Sequence, residues 1–308
     1  MAVQVTPDAG QQTEPSLGSE ARRAPLCPLC EDPKTRLVHF PANPEPFPGC
    51  PPWPAHDKFH CEACHYLWSE CLSELDLTAY AHEYVQANSD IQRVPNERMA
   101  DSPKLLDLLL AWTDGRRFLE WGIGYNTPYV EEVRSLGIDL WACDISAAVP
   151  YGGHVVRLPQ ESERLTTALF DGIFSQDVVE HFNDPVGDYR RSRAMLRPGG
   201  LLLSSTPVLE HLWNGCEPVP DHIWLWSPWH TSLCSSRSME LLAAQAGLEY
   251  VATISVPTVT GWAFVLRRPD DRDAQWDMDR KSTPETEALR RKLQDYFAER
   301  AWAGPVDS

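Results

Sequence analysis

The 308-residue sequence lacks any run of about 18 consecutive apolar residues, so we expect no membrane-spanning helix and no membrane partner. It also lacks the basic stretch followed by an apolar stretch that marks a secretory signal. Residues 1–24 are instead rich in Gln, Glu, Ser, Thr, Gly and Pro, a composition typical of a disordered leader. Together these features predict a cytoplasmic protein.

Positive charge is scarce in the sequence. It holds 27 Lys and Arg against 44 Asp and Glu, which gives a formal net charge of −17 at pH 7. Neutralisation of phosphates by cationic side chains supplies most of the non-specific affinity of proteins for nucleic acids. The charge balance therefore argues against a nucleic-acid partner.

The cysteines indicate a metal site. Their number, nine, is odd, and no export signal precedes them, so reduced thiols are favoured over a disulfide framework. Cys27 with Cys30 and Cys61 with Cys64 form two Cys-x-x-Cys pairs, which supply the four thiolates that zinc binds tetrahedrally. A closed set of four leaves no position for substrate, so we predict a structural zinc ion in a zinc-ribbon subdomain at 25–72. Free thiols are the alternative, and the substitute ligands are Cys50, His39, His56 and His60.

A strand, a glycine turn and a helix follow one another from residue 117. Gly122 and Gly124 let the backbone turn tightly, and Thr127 and Pro128 are a good N-cap and first helical position. The next apolar run ends in Asp144, about 20 residues after the glycines, where a βαβ unit places a carboxylate against ribose hydroxyls. The pattern predicts an adenosine-type nucleotide site, with a plain strand–helix turn as the alternative.

Further motifs follow in order, namely Asp144-Ile145-Ser146, Asp171–Pro185 with its Glu180-His181, Pro198-Gly199-Gly200, and Gln245–Leu248. Together with Glu120–Asn126 they resemble the class I S-adenosylmethionine (SAM) dependent methyltransferases over about residues 98–268. The resemblance implies that Glu120 lies near the methionine amine of SAM and that Asp144 holds the ribose. It implies further cofactor contacts at Gly122, Gly124, Tyr125, Asn126, Ile145 and Gln176. The family often has a third glycine where Asn126 stands.

Seven apolar runs predict strands, near 117–121, 139–143, 154–158, 171–176, 201–206, 248–255 and 261–267. Their alternation with helices predicts an α/β, Rossmann-like, mainly parallel seven-stranded sheet. The last two strands form an antiparallel hairpin, because the turn Pro257–Gly261 is too short for a crossover helix.

This fold class suggests domain boundaries. We expect a helical linker or cap at 73–97 and a SAM-binding methyltransferase domain at 98–270, with a tryptophan-rich lid at 207–234. A C-terminal linker and helix occupy 271–308. The final helix begins at Thr283-Pro284, and we expect it to dock on the domain or to form a homodimer contact.

Candidate catalytic residues lie beyond the carboxyl ends of the predicted strands, where ligands bind in open α/β sheets. They are Asp177 and His181 after the fourth strand and His230 at the end of the lid. His230 is the candidate general base, since imidazole takes a proton near neutral pH, with a structural role as the alternative. For His181 we favour a structural role at a helix start.

The lid contains an unusual set of aromatic side chains, Trp213, Trp224, Trp226 and Trp229, with His211 and His222. They predict either a partly apolar acceptor pocket or an adhesive surface for the ribbon. The segment His230–Ser235 resembles the sugar C-methyltransferases, which also carry an N-terminal ribbon. In those enzymes a Glu precedes the histidine, and here Trp229 takes that place.

These features predict an enzyme that transfers a methyl group from SAM to a small-molecule acceptor, in specialised metabolism. Three alternatives stay open. The first is an RNA methyltransferase, which the net charge disfavours. The second is an enzyme that uses bound SAM for other chemistry, such as cyclisation or decarboxylation. The third is a non-catalytic scaffold built on the zinc ribbon.

Overall fold

The computed structural model describes residues 25–43, 52–69, 101–124, 127–145, 151–166, 169–214, 217–218, 225, 227–258, 260–270 and 283–301. Within these segments no helix is both long enough and apolar enough to cross a membrane. The expected leader at 1–24 and linker at 73–97 lie outside the described residues. The same holds for Tyr125 and Asn126 of the glycine turn, and for Cys50, His222, Trp224 and Trp226.

Three short antiparallel strands form a small sheet near the N-terminus. They are β1 (Thr35–Phe40), β2 (His56–Cys61) and β3 (Leu67–Trp68). The turn at 28–30 carries the first cysteine pair before β1, and the turn at 62–64 carries the second between β2 and β3. Both predicted knuckles are therefore tight turns at the edge of one sheet.

The remaining elements alternate between helices and strands. In chain order they are α1 (Asp101–Trp112), β4 (Arg117–Trp121), α2 (Thr127–Ser135), β5 (Asp139–Asp144), β6 (Val155–Arg157), α3 (Glu163–Thr166), β7 (Phe170–Gln176), a 3-10 helix (Val179–His181), α4 (Pro185–Met195), β8 (Leu196–Ser205), α5 (Leu209–Leu212), β9 (Trp213–Asn214), β10 (Glu217–Pro218), β11 (Ser232–Leu233), α6 (Ser236–Ala246), β12 (Glu249–Ser255), β13 (Trp262–Arg267) and α7 (Pro284–Ala301).

Seven of these strands form one large sheet in the order β12-β13-β8-β7-β4-β5-β6. The five strands from β8 to β6 are parallel, whereas β13 runs antiparallel to both β8 and β12. The predicted fold class is confirmed. Because β4, β5, β7 and β8 are parallel, their carboxyl ends meet at the same edge of the sheet.

Both faces of the large sheet are buried. Along β4, Phe118 belongs to the core on one face and Leu119 to the core on the other. Leu201, Leu202 and Leu203 of β8 alternate between the two cores in the same way. Side chains on a strand point alternately to its two faces, so a continuous apolar run covers both.

The start of β8 differs from the expectation. A strand was expected near 201–206, but β8 already begins at Leu196 and includes Pro198-Gly199-Gly200. Leu196 pairs with Phe170 and Leu201 with Gly172, so the intervening residues bulge out of the ladder. Gly199 adopts a φ of 79°, which glycine tolerates without strain.

The small sheet takes its fourth strand from the lid. Its order is β1-β2-β3-β11, and Ser232 of β11 pairs with Trp68 of β3. Tyr66 and Leu29 also belong to the same core as Met239 of α6. The ribbon and the large domain therefore share both a sheet and a core.

Helix α7 packs on α1 of the same chain. The guanidinium of Arg290 binds the carboxylate of Asp107 through two hydrogen bonds of 3.1 Å each. Leu289 and Leu293 bury their side chains in the core beside α1 and β5. These contacts correspond to the first of the two roles expected for this helix, docking on its own domain.

Candidate active site and metal centre

The glycine turn follows β4 at the carboxyl edge of the large sheet. Gly122 and Gly124 have φ angles of 82° and 59°, a region that glycine adopts readily. A Cβ atom on Gly122 would lie 2.3 Å from Cγ2 of Val178, whereas one on Gly124 would have no neighbour within 4 Å. Gly122 therefore permits close packing against the loop after β7, and Gly124 leaves open space beside the backbone.

Asp144 ends β5 next to this turn. Its Oδ2 accepts a hydrogen bond of 2.8 Å from the backbone N–H of Gly124, and the side chain is buried. The predicted glycine and carboxylate are thus in direct contact, while the neighbouring Ile145 is 37% exposed. A carboxylate at the end of a parallel strand can bind hydroxyl groups of a ligand.

Glu120 lies near the end of β4 and is fully buried. Its Oε1 accepts a hydrogen bond of 2.5 Å from the hydroxyl of Ser102, and within the described residues its Oε2 has no hydrogen-bond partner. Burial raises the pKa of Glu120, the hydrogen bond from Ser102 lowers it and the nearby Asp144 raises it, with a net pKa of about 8. A buried carboxylate whose second oxygen lacks a hydrogen-bond partner among the described residues is suited to binding a cationic ligand group.

The N-terminus of α1 crosses the same edge of the sheet. Ser102 contacts Glu120 there, and Gln176 at the end of β7 donates a hydrogen bond of 3.4 Å to Oδ2 of Asp101. Lys104 donates to the carbonyl of Pro257 in the β12–β13 turn at 2.6 Å. These contacts of Asp101 and Ser102 could not be predicted from the sequence, because their partners are distant in the chain.

Asp177 directly follows β7. Its backbone N–H donates to the carbonyl of Ser205 at 2.9 Å, and its φ of 51° places it in the left-handed region that Asp tolerates. The chain thus turns sharply at the end of the strand and leads into the 3-10 helix that carries Glu180 and His181.

Glu180, His181 and His230 come together beyond β7 and β8. The rings of His181 and His230 meet edge to face with centroids 4.8 Å apart. Nδ1 of His181 is 2.9 Å from the carbonyl of Trp229, and the hydroxyl of Thr206 donates to Glu180 at 2.8 Å. The two predicted histidines therefore form one cluster, to which the structure adds Glu180.

The four predicted metal-ligating cysteines also come together. Cys27 Sγ is 3.6 Å from Cys64 Sγ, and Cys30 Sγ is 3.5 Å from Cys61 Sγ. Zn–S bonds of about 2.3 Å place the sulfurs of a tetrahedral site about 3.8 Å apart. The distances fit such a site and are far too long for a disulfide bond of about 2.05 Å.

The thiols of this cluster influence one another. The hydrogen bond with Cys64 lowers the pKa of Cys27, whereas burial raises the pKa of Cys61. Two of the substitute ligands, His39 and His60, have other partners. His39 is paired with Asp57 at 2.7 Å, and His60 stacks on Trp213 with centroids 4.4 Å apart. Among the described residues, the closed ligand set is therefore the predicted one.

Comparison with known proteins now assigns the fold. The family model described as "Methyltransferase domain" matches residues 88–253, which are 166 of the 308 residues. The chain belongs to the methyltransferase domain family. Residues Glu120, Asp144 and Glu180 all fall within the matched segment.

Two kinds of relative are similar to this methyltransferase domain. The ubiquinone biosynthesis O-methyltransferase of Methylocella silvestris is 28% identical over 142 residues, which are 42% of this chain and 50% of the relative. The chain thus spans about half the length of this curated relative. Among solved structures, the Burkholderia thailandensis 1,6-didemethyltoxoflavin-N1-methyltransferase, with S-adenosylhomocysteine bound, gives a TM-score of 0.43 at 17% identity over 68% of this chain and 99% of that one. The CcbJ methyltransferase of Streptomyces caelestis gives 0.41 at 16% identity over 59% and 96%.

The methyltransferase family implies SAM as the cofactor, and the described residues fit it. The cationic amine of SAM would satisfy the buried carboxylate of Glu120, the hydroxyls of its ribose would meet Asp144, and the open backbone at Gly124 would admit it closely. These three features lie at a single edge of the sheet, where the sequence predicted the site.

The described part of the lid contacts the ribbon. Trp229 meets Trp53 edge to face at 5.8 Å, and Trp213 stacks on His60. His211 instead stacks on Trp262 of the large domain, with centroids 3.9 Å apart. Trp213 and Trp229 thus pack the lid against the ribbon, which is one of the two alternatives given above for the aromatic side chains of the lid.

Glu120→Gln is expected to change how the stability of the cofactor-free protein depends on pH. The folded pKa of about 8 lies above the unfolded value near 4.5, so the folded state keeps a proton that the unfolded chain releases. The wild type should lose stability as the pH rises from about 5 to 8, by up to about 1.4 kcal/mol per pH unit. The Gln variant should lack this loss.

Denaturant unfolding of both proteins at several pH values measures the difference. Glu285→Gln, at an exposed position in α7, is the control and should follow the wild type. Parallel stability curves for wild type and Glu120→Gln would show that Glu120 titrates normally.

Proposed function

We propose that this methyltransferase-domain protein transfers a methyl group from SAM to a small-molecule acceptor. The observation that carries the proposal is the grouping of buried Glu120, open Gly124 and Asp144 at one edge of the sheet. When bound, SAM supplies an electrophilic methyl group on a sulfonium. The protein must hold the acceptor in line with that methyl group and exclude water.

The residues at this edge have separable roles. Asp144 binds the ribose, Glu120 binds the methionine amine, and Gln176 joins the end of β7 to the α1 segment that covers the site. The turn at Gly122 fixes the glycine loop against Val178. Each group therefore orients the cofactor, and none of them takes part in bond making.

The acceptor side is assigned to the cluster of Glu180, His181 and His230. We propose that His230, which is 5% exposed, handles the proton of the acceptor while His181 holds the neighbouring backbone in place. An acceptor that reacts at oxygen is favoured, because the Methylocella relative is named as an O-methyltransferase. A role in specialised metabolism is part of the same proposal.

The net charge of −17 supports a small acceptor rather than RNA. Four thiolates around zinc would add a formal charge of −2 at the ribbon and make it a poor receptor for phosphate. Among the described residues, six cysteines are free of disulfide bonds, which supports a reducing, cytoplasmic location. Self-association through the exposed face of α7 is the proposed homodimer contact.

Asp144→Ala is expected to weaken SAM binding by about ten- to hundredfold, because hydrogen bonds between a carboxylate and the ribose are lost. Calorimetric titration with SAM measures the effect. The matched control is Asp139→Asn, at the opposite end of β5, where the carboxylate binds Arg117 and not the cofactor. Unchanged affinity in folded Asp144→Ala protein would refute the assignment of the cofactor site.

We further propose one structural zinc ion on Cys27, Cys30, Cys61 and Cys64. Metal analysis of the purified protein should find about one zinc per chain. Cys30→Ser should lose the ion and destabilise the ribbon, whereas Cys143→Ala, a buried thiol of β5, should keep it. A metal-free preparation that is fully folded and active would disprove the proposal.

His230→Ala is expected to lower turnover by about 10²–10⁴-fold while SAM affinity stays near the wild-type value. If His230 acts as a base, the activity–pH profile should also lose a limb near the pKa of a histidine. His211→Ala, on the neighbouring helix α5, is the control for a general disturbance of the lid. Wild-type turnover of the His230 variant on the acceptor would show that His230 is structural.

A further inference from the structure

Glu180, His181 and His230 place one carboxylate and two imidazoles around a common point. One ligand atom of each residue lies within 4.8 Å of the other two. The side chains of Glu180 and His230 are 1% and 5% exposed. Two histidines and one carboxylate form the ligand set of several catalytic zinc and non-haem iron sites, where it leaves positions open for water or substrate.

The hydrogen bond of His181 fixes the ring in a state suited to metal binding. The carbonyl of Trp229 can only accept, so Nδ1 of His181 must carry the hydrogen and donate it over 2.9 Å. Nε2 then carries the lone pair of the neutral ring. A metal-ligating histidine commonly donates its other N–H to a backbone carbonyl or carboxylate in this way.

The carboxylate and the second imidazole are also held from outside the cluster. Thr206, after β8, donates its hydroxyl to Oε2 of Glu180 at 2.8 Å. The hydroxyl of Thr231, next to His230, lies 3.3 Å from the carbonyl of Glu180 and 3.1 Å from that of Phe182. A carboxylate oxygen has more than one acceptor site, so the bond from Thr206 orients Glu180 without using up its ligand capacity.

The cluster borders the cofactor loop. Phe182 follows His181 and meets the ring of Trp121, at the end of β4, with centroids 5.9 Å apart. On the other side of the 3-10 helix, Val178 packs against Gly122. A ligand held by the cluster would therefore lie beside the loop that is assigned to SAM.

We propose that Glu180, His181 and His230 bind one divalent cation, which in turn binds an oxygen atom of the acceptor. Two bonds of about 2.1 Å span at most about 4.2 Å across an ion. Two ligand atoms that lie as far apart as 4.8 Å must therefore approach each other by at least about 0.6 Å to bind one ion. The acceptor chemistry rests on the proposed methyl transfer, whereas the cation site itself does not.

The bound cation would lower the pKa of an acceptor hydroxyl, whose proton passes to water. The bond between the cofactor sulfur and its methyl carbon then breaks as the bond between that carbon and the acceptor oxygen forms. The cofactor leaves as a neutral thioether, so charge and atoms balance. With the ion bound, His230 acts as a ligand in place of the proton-transfer role proposed above. The loss of turnover expected for His230→Ala then follows from loss of the ion, and no limb of the activity–pH profile belongs to His230.

Titration with Mn²⁺ of SAM-free protein that holds only one zinc ion per chain tests the cation site. Mn²⁺ prefers oxygen and nitrogen to thiolate ligands, so it reports on this cluster rather than on the four cysteines. The electron paramagnetic resonance signal of free Mn²⁺ should decrease by about one equivalent per chain. Pulsed measurements on the bound ion should show coupling to two imidazole nitrogens.

Glu180→Gln and His230→Gln, which preserve side-chain size or polarity, should each raise the Kd for Mn²⁺ by at least about tenfold. His154→Gln is the matched control, because His154 also lies beside a carboxylate, Glu131 at 2.9 Å, but on the surface. Absence of Mn²⁺ binding, or bound Mn²⁺ without imidazole coupling, would overturn the proposal whether or not the variants fold. Mn²⁺ binding without SAM binding would overturn the proposed function and leave the cation site standing.

Discussion

The pairing of β3 with β11 is the interaction on which the cluster of Glu180, His181 and His230 depends. Beyond Ser232 and Leu233, the ladder continues through the N–H of Ser69, which donates to the carbonyl of Thr231 at 2.9 Å. Thr231 in turn contacts the loop that carries Glu180 and His181. Strand β3 follows the turn of the second cysteine pair. Backbone hydrogen bonds from β3 therefore connect that turn to Thr231, the residue next to His230.

The sequence predicted the large sheet well, because the residues that define it act locally. Continuous apolar runs such as Leu201–Leu203 fill both faces of a central strand, and this pattern does not depend on distant partners. Gly124 and Asp144 were identified for a related reason. A βαβ unit brings its first turn and its second strand end together by geometry, and the 2.8 Å hydrogen bond between them follows.

The residues that the sequence did not assign depend on tertiary contacts. Ser102 gives no sign in the sequence that it will meet Glu120, since only the packing of α1 across the sheet edge brings them together. Thr206 and Glu180 meet because β7 and β8 are neighbours whose ends coincide. The role of Trp213 was likewise left open, because stacking on His60 requires the ribbon to fold back over the lid. The hydrophobic periodicity of a sequence predicts which residues are buried, but it does not predict which distant side chains they contact.

Lys58 shows why the ribbon and the lid are better regarded as one unit. Its ammonium group is fully buried and donates to the carbonyls of Leu225 and Ser227, at 3.0 and 2.9 Å, with the ring of Phe40 5.3 Å away. Burial lowers the pKa of Lys58 to about 7, so these contacts only partly compensate for lost hydration. The two hydrogen bonds join β2 to the lid, whereas the uncompensated desolvation of the ammonium group favours their separation when Lys58 is protonated. The backbone N–H of His230 donates to the carbonyl of Ser227, so the position of His230 depends on the ribbon as well as on the methyltransferase domain.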